Sequence, residues 1–161
     1  VERDVLCGTF VAQQTGPMAL KITVHKVTTF FAATARLHID NVSVRRTIGP
    51  VPFVRGNRRL GETPQLQVHG EPGRLYAAVR GDALLPQPIA IPGFQGLLEI
   101  NGDILMLIGL LPADGIAAGP LPIPNLPGLR GLEFPFQAFD ADAVTGSNLR
   151  FGVSQVFGVQ R

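Results

Sequence analysis

The sequence predicts an all-β protein: an antiparallel β-sandwich or jelly roll of about nine to ten strands, crossed by a proline-rich strap. Three observations predict it. Hydrophobic residues make up 45% of the chain and charged residues 16%, which excludes a wholly disordered polymer. Glycine (19) and proline (14) are abundant, as short strands joined by tight turns require and a helical bundle does not. No long window sustains apolar residues at i, i+3 and i+4, whereas period-2 alternation recurs. The 161 residues suit one domain spanning 1–161, large enough to bury a core without staples.

The elements follow in order. Residues 5–14 (VLCGTFVAQQ) are β-rich and stop at the turn Thr15-Gly16-Pro17. In residues 20–27, Leu20, Ile22 and Val24 face one way while Lys21, Thr23 and His25 face the other. Residues 35–44 repeat the pattern, with Leu37 and Ile39 inward and Arg36, His38 and Asp40 outward. A basic connection, residues 45–59, leads to short strands at 65–69 and 74–80, separated by a turn at Glu71-Pro72-Gly73. A proline-punctuated crossing occupies 84–93. Residues 96–100 and 104–111 flank Asn101-Gly102-Asp103, which reads as a hairpin turn. The run ILMLIGLL at 104–111 is apolar throughout, the pattern of a buried central strand. Bounded by Asp103 and Asp114, it falls well short of the about 20 residues a membrane helix needs. Strands at 132–140 and 149–159 complete the set.

Between the last apolar run and these strands lies PLPIPNLPGLRGLEFPFQAFDAD, residues 120–142. Pro120, Pro122, Pro124 and Pro127 fix φ and lack backbone donors, so the segment is extended and stands outside a sheet interior. Leu121, Ile123, Leu126 and Leu129 alternate with them, and a solvated linker has no use for four aliphatics. A strap lying on the protein satisfies both facts. Beyond Gly131 it becomes a strand, with Phe134, Phe136 and Ala138 on one face and Glu133 and Gln137 on the other. Pro135 within it argues for an edge or a bulge.

The run Pro127-Gly128-Leu129-Arg130-Gly131, then Gln137, Asp140 and Ser147-Asn148, carries a resemblance. Residues 90–161 resemble a C-terminal β-rich segment recurring in secreted proteins of environmental bacteria. The resemblance implies an extracellular β-sandwich, commonly a module of longer proteins, and brings no catalytic or binding residues with it. The chain opens on Val1 rather than Met, for which a cleaved secretion signal is one explanation and an edited sequence another.

Candidate chemistry is sparse. Cys7 is the only cysteine, which excludes an internal disulfide and reads as a small buried hydrophobe. His25, His38 and His69 lack close metal-ligand spacing, so a solvated strand face is the simpler reading and no metal or cofactor is expected. Ser43, Ser147 and Ser154 stand outside any nucleophile-elbow pattern, and a hydrolase built on His38 and Asp40 ranks last. Asp140-Ala141-Asp142, ahead of Thr145-Gly146, reads as a turn; it lacks the ligand density of a calcium loop.

Charge is the most distinctive polar feature. Residues 1–80 carry 11 basic and 5 acidic side chains, net +6, and residues 81–161 carry 3 and 7, net −4. Such a split favours head-to-tail contacts between copies. Arg45, Arg46, Arg55, Arg58 and Arg59 fall in a stretch without an acid, and their forked guanidinium groups suit carboxylate, sulfate or phosphate. Few aromatics are free for base stacking, so nucleic acid is not an expected partner.

The resulting expectation is a secreted, non-enzymatic structural protein at the cell surface that self-assembles into a homo-oligomer or filament. Strand edges at 5–14 or 149–159 would pair with a neighbouring copy. Val5, Phe10, Glu133, Asp140, Asp142, Phe151 and Phe157 are the expected subunit contacts. The alternative is a module binding an acidic polysaccharide or other anionic surface through Arg45, Arg46, Arg55, Arg58 and Arg59.

Overall fold

A computed structural model of the chain describes residues 47–102 and 104–160. The strands expected at 5–14, 20–27 and 35–44 lie outside the described residues, as do Val5, Cys7, Phe10, Arg45 and Arg46. The described part is all-β. Its strands are β1 (Val51–Arg55), β2 (Gln65–His69), β3 (Leu75–Arg80), β4 (Ala83–Ile89), β5 (Phe94–Gln95), β6 (Leu98–Asn101), β7 (Ile104–Leu110), β8 (Ile116–Pro120), β9 (Glu133–Ala141), β10 (Leu149–Phe151) and β11 (Gln155–Gly158). One 3-10 turn occupies Pro127–Leu129. Among the described residues no helix is long and apolar enough to cross a membrane.

The strands form three sheets. β1, β2 and β8 make an antiparallel three-stranded sheet. A six-stranded sheet runs β5-β10-β9-β3-β7, with β11 also on β9. β4 and β6 form a two-stranded ribbon. β9 organises the large sheet: Phe139 and Asp140 meet β10, residues 133–136 meet β11, and its other side carries β3.

The core lies between the three- and six-stranded sheets. Leu66 and Val68 of β2 and Ala117 of β8 meet Tyr76 and Ala78 of β3, Phe136 and Ala138 of β9, and Phe157 of β11. Period-2 pleating explains the selection, since Leu66 and Val68 point inward while Gln65 and Gln67 point away. Each fully buried side chain of this size, such as Leu66 or Phe136, contributes about 1.5–3 kcal/mol.

The first half of the strap is extended with its aliphatics buried, as expected, but it continues an edge of the three-stranded sheet rather than lying across a sheet face. Leu121 and Ile123 are buried in the core, and the backbone N–H of each donates to the carbonyls of Pro64 and Glu62, extending the β2–β8 ladder past Pro120. Leu126, by contrast, is exposed. Pro135 is accommodated because its carbonyl accepts from Gly81 just past the end of β3. The missing N–H therefore falls outside the regular ladder.

Four local expectations are corrected. The run at 104–111 is not a buried central strand: β7 pairs only with β3 among the described residues and stands at a sheet edge. β6 and β7 do not form the expected hairpin, because β6 pairs with β4 whereas β7 pairs with β3. The chain changes sheets there, and Gly102 (φ 147°) passes so close to Gly81 that a Cβ would lie 2.4 Å from its Cα. Residues 149–159 do not make one long strand; β10 and β11 pair with successive segments of β9 and are separated by residues 152–154. Finally, connections expected to be irregular carry strands: β1 lies within the basic connection, and β4 takes up most of the crossing at 84–93.

Candidate functional site

β7 presents the most unusual surface of the described chain. Its register with β3 pairs Leu75 with Leu110, Ala77 with Ile108 and Val79 with Leu105, with an irregularity between Ala78 and Val79 that leaves Met106 unopposed. Paired residues point to the same side of a sheet, so Leu105, Ile108, Leu110 and Leu75 share the face opposite the core. They are 53%, 69%, 56% and 43% exposed. On the other face Leu107 reaches the three-stranded sheet, where a Cβ on Gly119 would lie 2.4 Å from its Cδ2. Thus, among the described residues, β7 is anchored through one face and exposed on the other. Its seven residues include no charge and no proline, the usual devices that keep an edge from joining another.

The rest of that outer face is covered. Gln137 points outward from β9 and is fully buried. Its amide donates to the carbonyls of Leu97 (2.7 Å) and Gly152 (2.8 Å), and its Oε1 accepts from the Glu99 backbone (2.9 Å). Phe94, Phe139 and Phe151 cluster beside it, with Phe94 stacked on Phe151 at 4.4 Å between ring centroids. Cover therefore extends over β9 and β10 and reaches Ala77 of β3, which is buried, leaving Leu75 and the outer side chains of β7 open among the described residues.

A second polar constellation occupies one end of the large sheet. The Asp140 side chain is fully buried and accepts from two arginines. Arg150 Nε donates to Oδ1 (2.8 Å) and its Nη2 to Oδ2 (2.7 Å), while Arg74 Nη2 lies 3.0 Å from Oδ1. Arg74 also donates to the Asn148 carbonyl at 2.5 Å, and Arg150 Nη1 meets Glu71 at 2.9 Å. Hydrogen bonding to Asp140 and the charges of Asp140 and Glu71 hold the Arg150 guanidinium still more firmly protonated against the effect of burial. The group is internally balanced, two cations against two carboxylates, and ties β3, β9, β10 and the 71–73 turn together.

Asp142 anchors the adjoining turn. Its Oδ1 accepts from the backbone N–H groups of Thr145 (2.9 Å) and Val144 (3.0 Å) and from the Thr145 hydroxyl (2.9 Å). These bonds, the Thr145 backbone first, hold its carboxyl below the ordinary aspartate value. A carboxyl depressed in this way supports the turn above its unfolded pKa and releases it as pH falls through the lowered folded value. The turn is therefore expected to loosen only in acid below the ordinary aspartate range. In an NMR titration Thr145→Val should raise the Asp142 midpoint toward that range; superimposable curves would remove the hydroxyl from the account.

The expected subunit contacts are placed as follows. Glu133 is exposed at the start of β9. Asp140 is enclosed by its arginines, and Phe151 and Phe157 are buried among other rings, so none of these three side chains is free to meet a neighbour. Asp142 is engaged in its own turn. Sequence reasoning passed over the β7 face because the same apolar run describes a central strand equally well.

Among the expected anion-binding arginines, Arg55 ends β1 and is exposed, as is Arg59. Arg58 is half-buried, its Nε enclosed without a hydrogen-bond partner, beside a recess of about 40 Å³ lined by Pro52, Val54, Leu66, Phe136 and Phe157. That volume is far below the roughly 300–1,000 Å³ of small-molecule sites. His69 packs edge-on to Phe53 at 4.9 Å and has its pKa lowered by burial, partly countered by Asp114. The chain matches no protein-family model, no curated protein and no solved structure.

Proposed function

We propose that the protein is a non-enzymatic structural protein that assembles with its own copies through an exposed sheet edge. The observation that carries the reading is β7: among the described residues, an edge strand of the large sheet, apolar along its whole length, with four large aliphatic side chains of β7 and β3 exposed on one face. An exposed, uncharged, apolar edge is a template for addition of another chain. The buried polar groups Arg74, Gln137 and Asp140 bond to one another or to backbone, which supports an architectural use for them. The resemblance of residues 90–161 to secreted β-rich segments supports a setting outside the cell.

This reading places the junction at β7, where the sequence alone suggested residues 5–14, which lie outside the described residues, or residues 149–159. Size-exclusion chromatography with light scattering should give a mass that is a defined multiple of the chain, with regular particles in negative stain. A monomer at every accessible concentration would overturn it.

A further inference from the structure

We infer that the outer face of β3 and β7 packs against the same face of a second copy, across a twofold axis that stacks the two sheets. The inference rests on the self-association proposed above and names its contact. Joining edges alone leaves the exposed side chains where they are: a sheet extended through β7 carries Leu75, Leu105, Ile108 and Leu110 on an outer face that is still bare. Only a layer placed over that face removes them from water. The opposite face of the same strands already shows such stacking, with Leu107 against Gly119 of the neighbouring sheet.

A second copy is the occupant that fits. Leu75, Leu105, Ile108 and Leu110, together with their in-register neighbours Ala77, Val79 and Ala141, include no charged or hydrogen-bonding side chain. A partner patch must therefore be apolar too, and a twofold supplies an identical one. Four half-exposed aliphatic side chains present on the order of 350 Å² per copy, the size of the largest patch on an ordinary monomer. Two such patches with their backbone and rim approach the roughly 1,000 Å² that marks a specific interface. Facing sheets pack about 10 Å apart, a gap that interdigitated leucine and isoleucine fill.

Position in the sheet separates stacking from edge pairing. Leu75 lies on β3, one strand in from the edge, where a charge hinders a stacked layer but leaves the β7 backbone edge untouched. Ile108 lies on the edge strand itself. The experiment compares the mass of the full-length protein by light scattering with that of Leu75→Lys, Ile108→Lys and Leu126→Lys. Leu126 is an exposed leucine of the strap and serves as control. Circular dichroism and thermal melts check that each variant stays folded. Stacking predicts that Leu75→Lys and Ile108→Lys each weaken self-association at least tenfold while Leu126→Lys matches the parent. An unchanged mass for folded Leu75→Lys overturns the stacked contact and leaves edge pairing in place. A monomeric parent overturns both.

Discussion

Asp140→Ala is expected to destabilise the protein by about 3–5 kcal/mol, the cost of removing one partner from a buried ion group. The side chain is fully enclosed, and its loss strands Arg74, itself 8% exposed at the side chain, without a carboxylate. The Arg74 Nε already lacks a hydrogen-bond partner, so no spare acceptor compensates. For a chain of this size each kcal/mol lowers the melting temperature by about 2–4 °C, which predicts a loss of about 10 °C. Arg150→Ala is expected to cost less. That side chain retains access to water, and Arg74 still neutralises Asp140 after its removal. Urea unfolding of the two variants decides the order. Equal or reversed losses would mean that Asp140 is not the hub of the group.

Gly152→Ala is the second large effect. A Cβ at this position would stand 1.6 Å from the carbonyl oxygen of Pro50 and 2.6 Å from its carbon, both backbone atoms that no side-chain rotation can move. On the facing segment, a Cβ on Gly49 would stand 2.5 Å from the Phe151 backbone carbon. Two chain segments therefore touch at 49–50 and 151–152, and glycine on each side permits it. The Gly152 carbonyl also accepts from the buried Gln137 amide, and its N–H donates to Ala138, so displacement disturbs the centre of β9 as well. Overpacking of rigid backbone is expected to cost about 3 kcal/mol or more and to send much of the protein to the insoluble fraction. Gly128→Ala, with open space around its Cβ position and no left-handed φ, should melt with the parent. A soluble Gly152→Ala variant with the parent's melting temperature would show that the two segments separate freely.

Local signals made much of the described architecture legible. Residues 65–69 and 74–80 read as strands because alternation and flanking turns agree, and β2 and β3 lie there. The strap was readable because proline forbids sheet hydrogen bonding on one register while leucine and isoleucine demand burial on the other. The asymmetry of β7 had no such signal. An apolar run states that its side chains avoid water; it does not state whether the layer that covers them belongs to the same chain. The same gap affected Asp140, which reads as a turn residue beside Asp142. Its pairing with Arg150 spans ten residues, and Arg74 comes from another strand's start.

Composition and periodicity are properties of neighbours along the chain, and they were enough to make this protein all-β, glycine-punctuated and strapped. Strand order and register are relations between residues far apart. They set Tyr76 opposite Asp140 and Asp140 opposite Arg150, drew Gln137 under Leu97 and Glu99, and left β7 at an edge with its outer face exposed among the described residues. Burial of a charge or exposure of a leucine depends on which strand lies alongside. Many pairings satisfy the same alternation, and long-range packing selects among them.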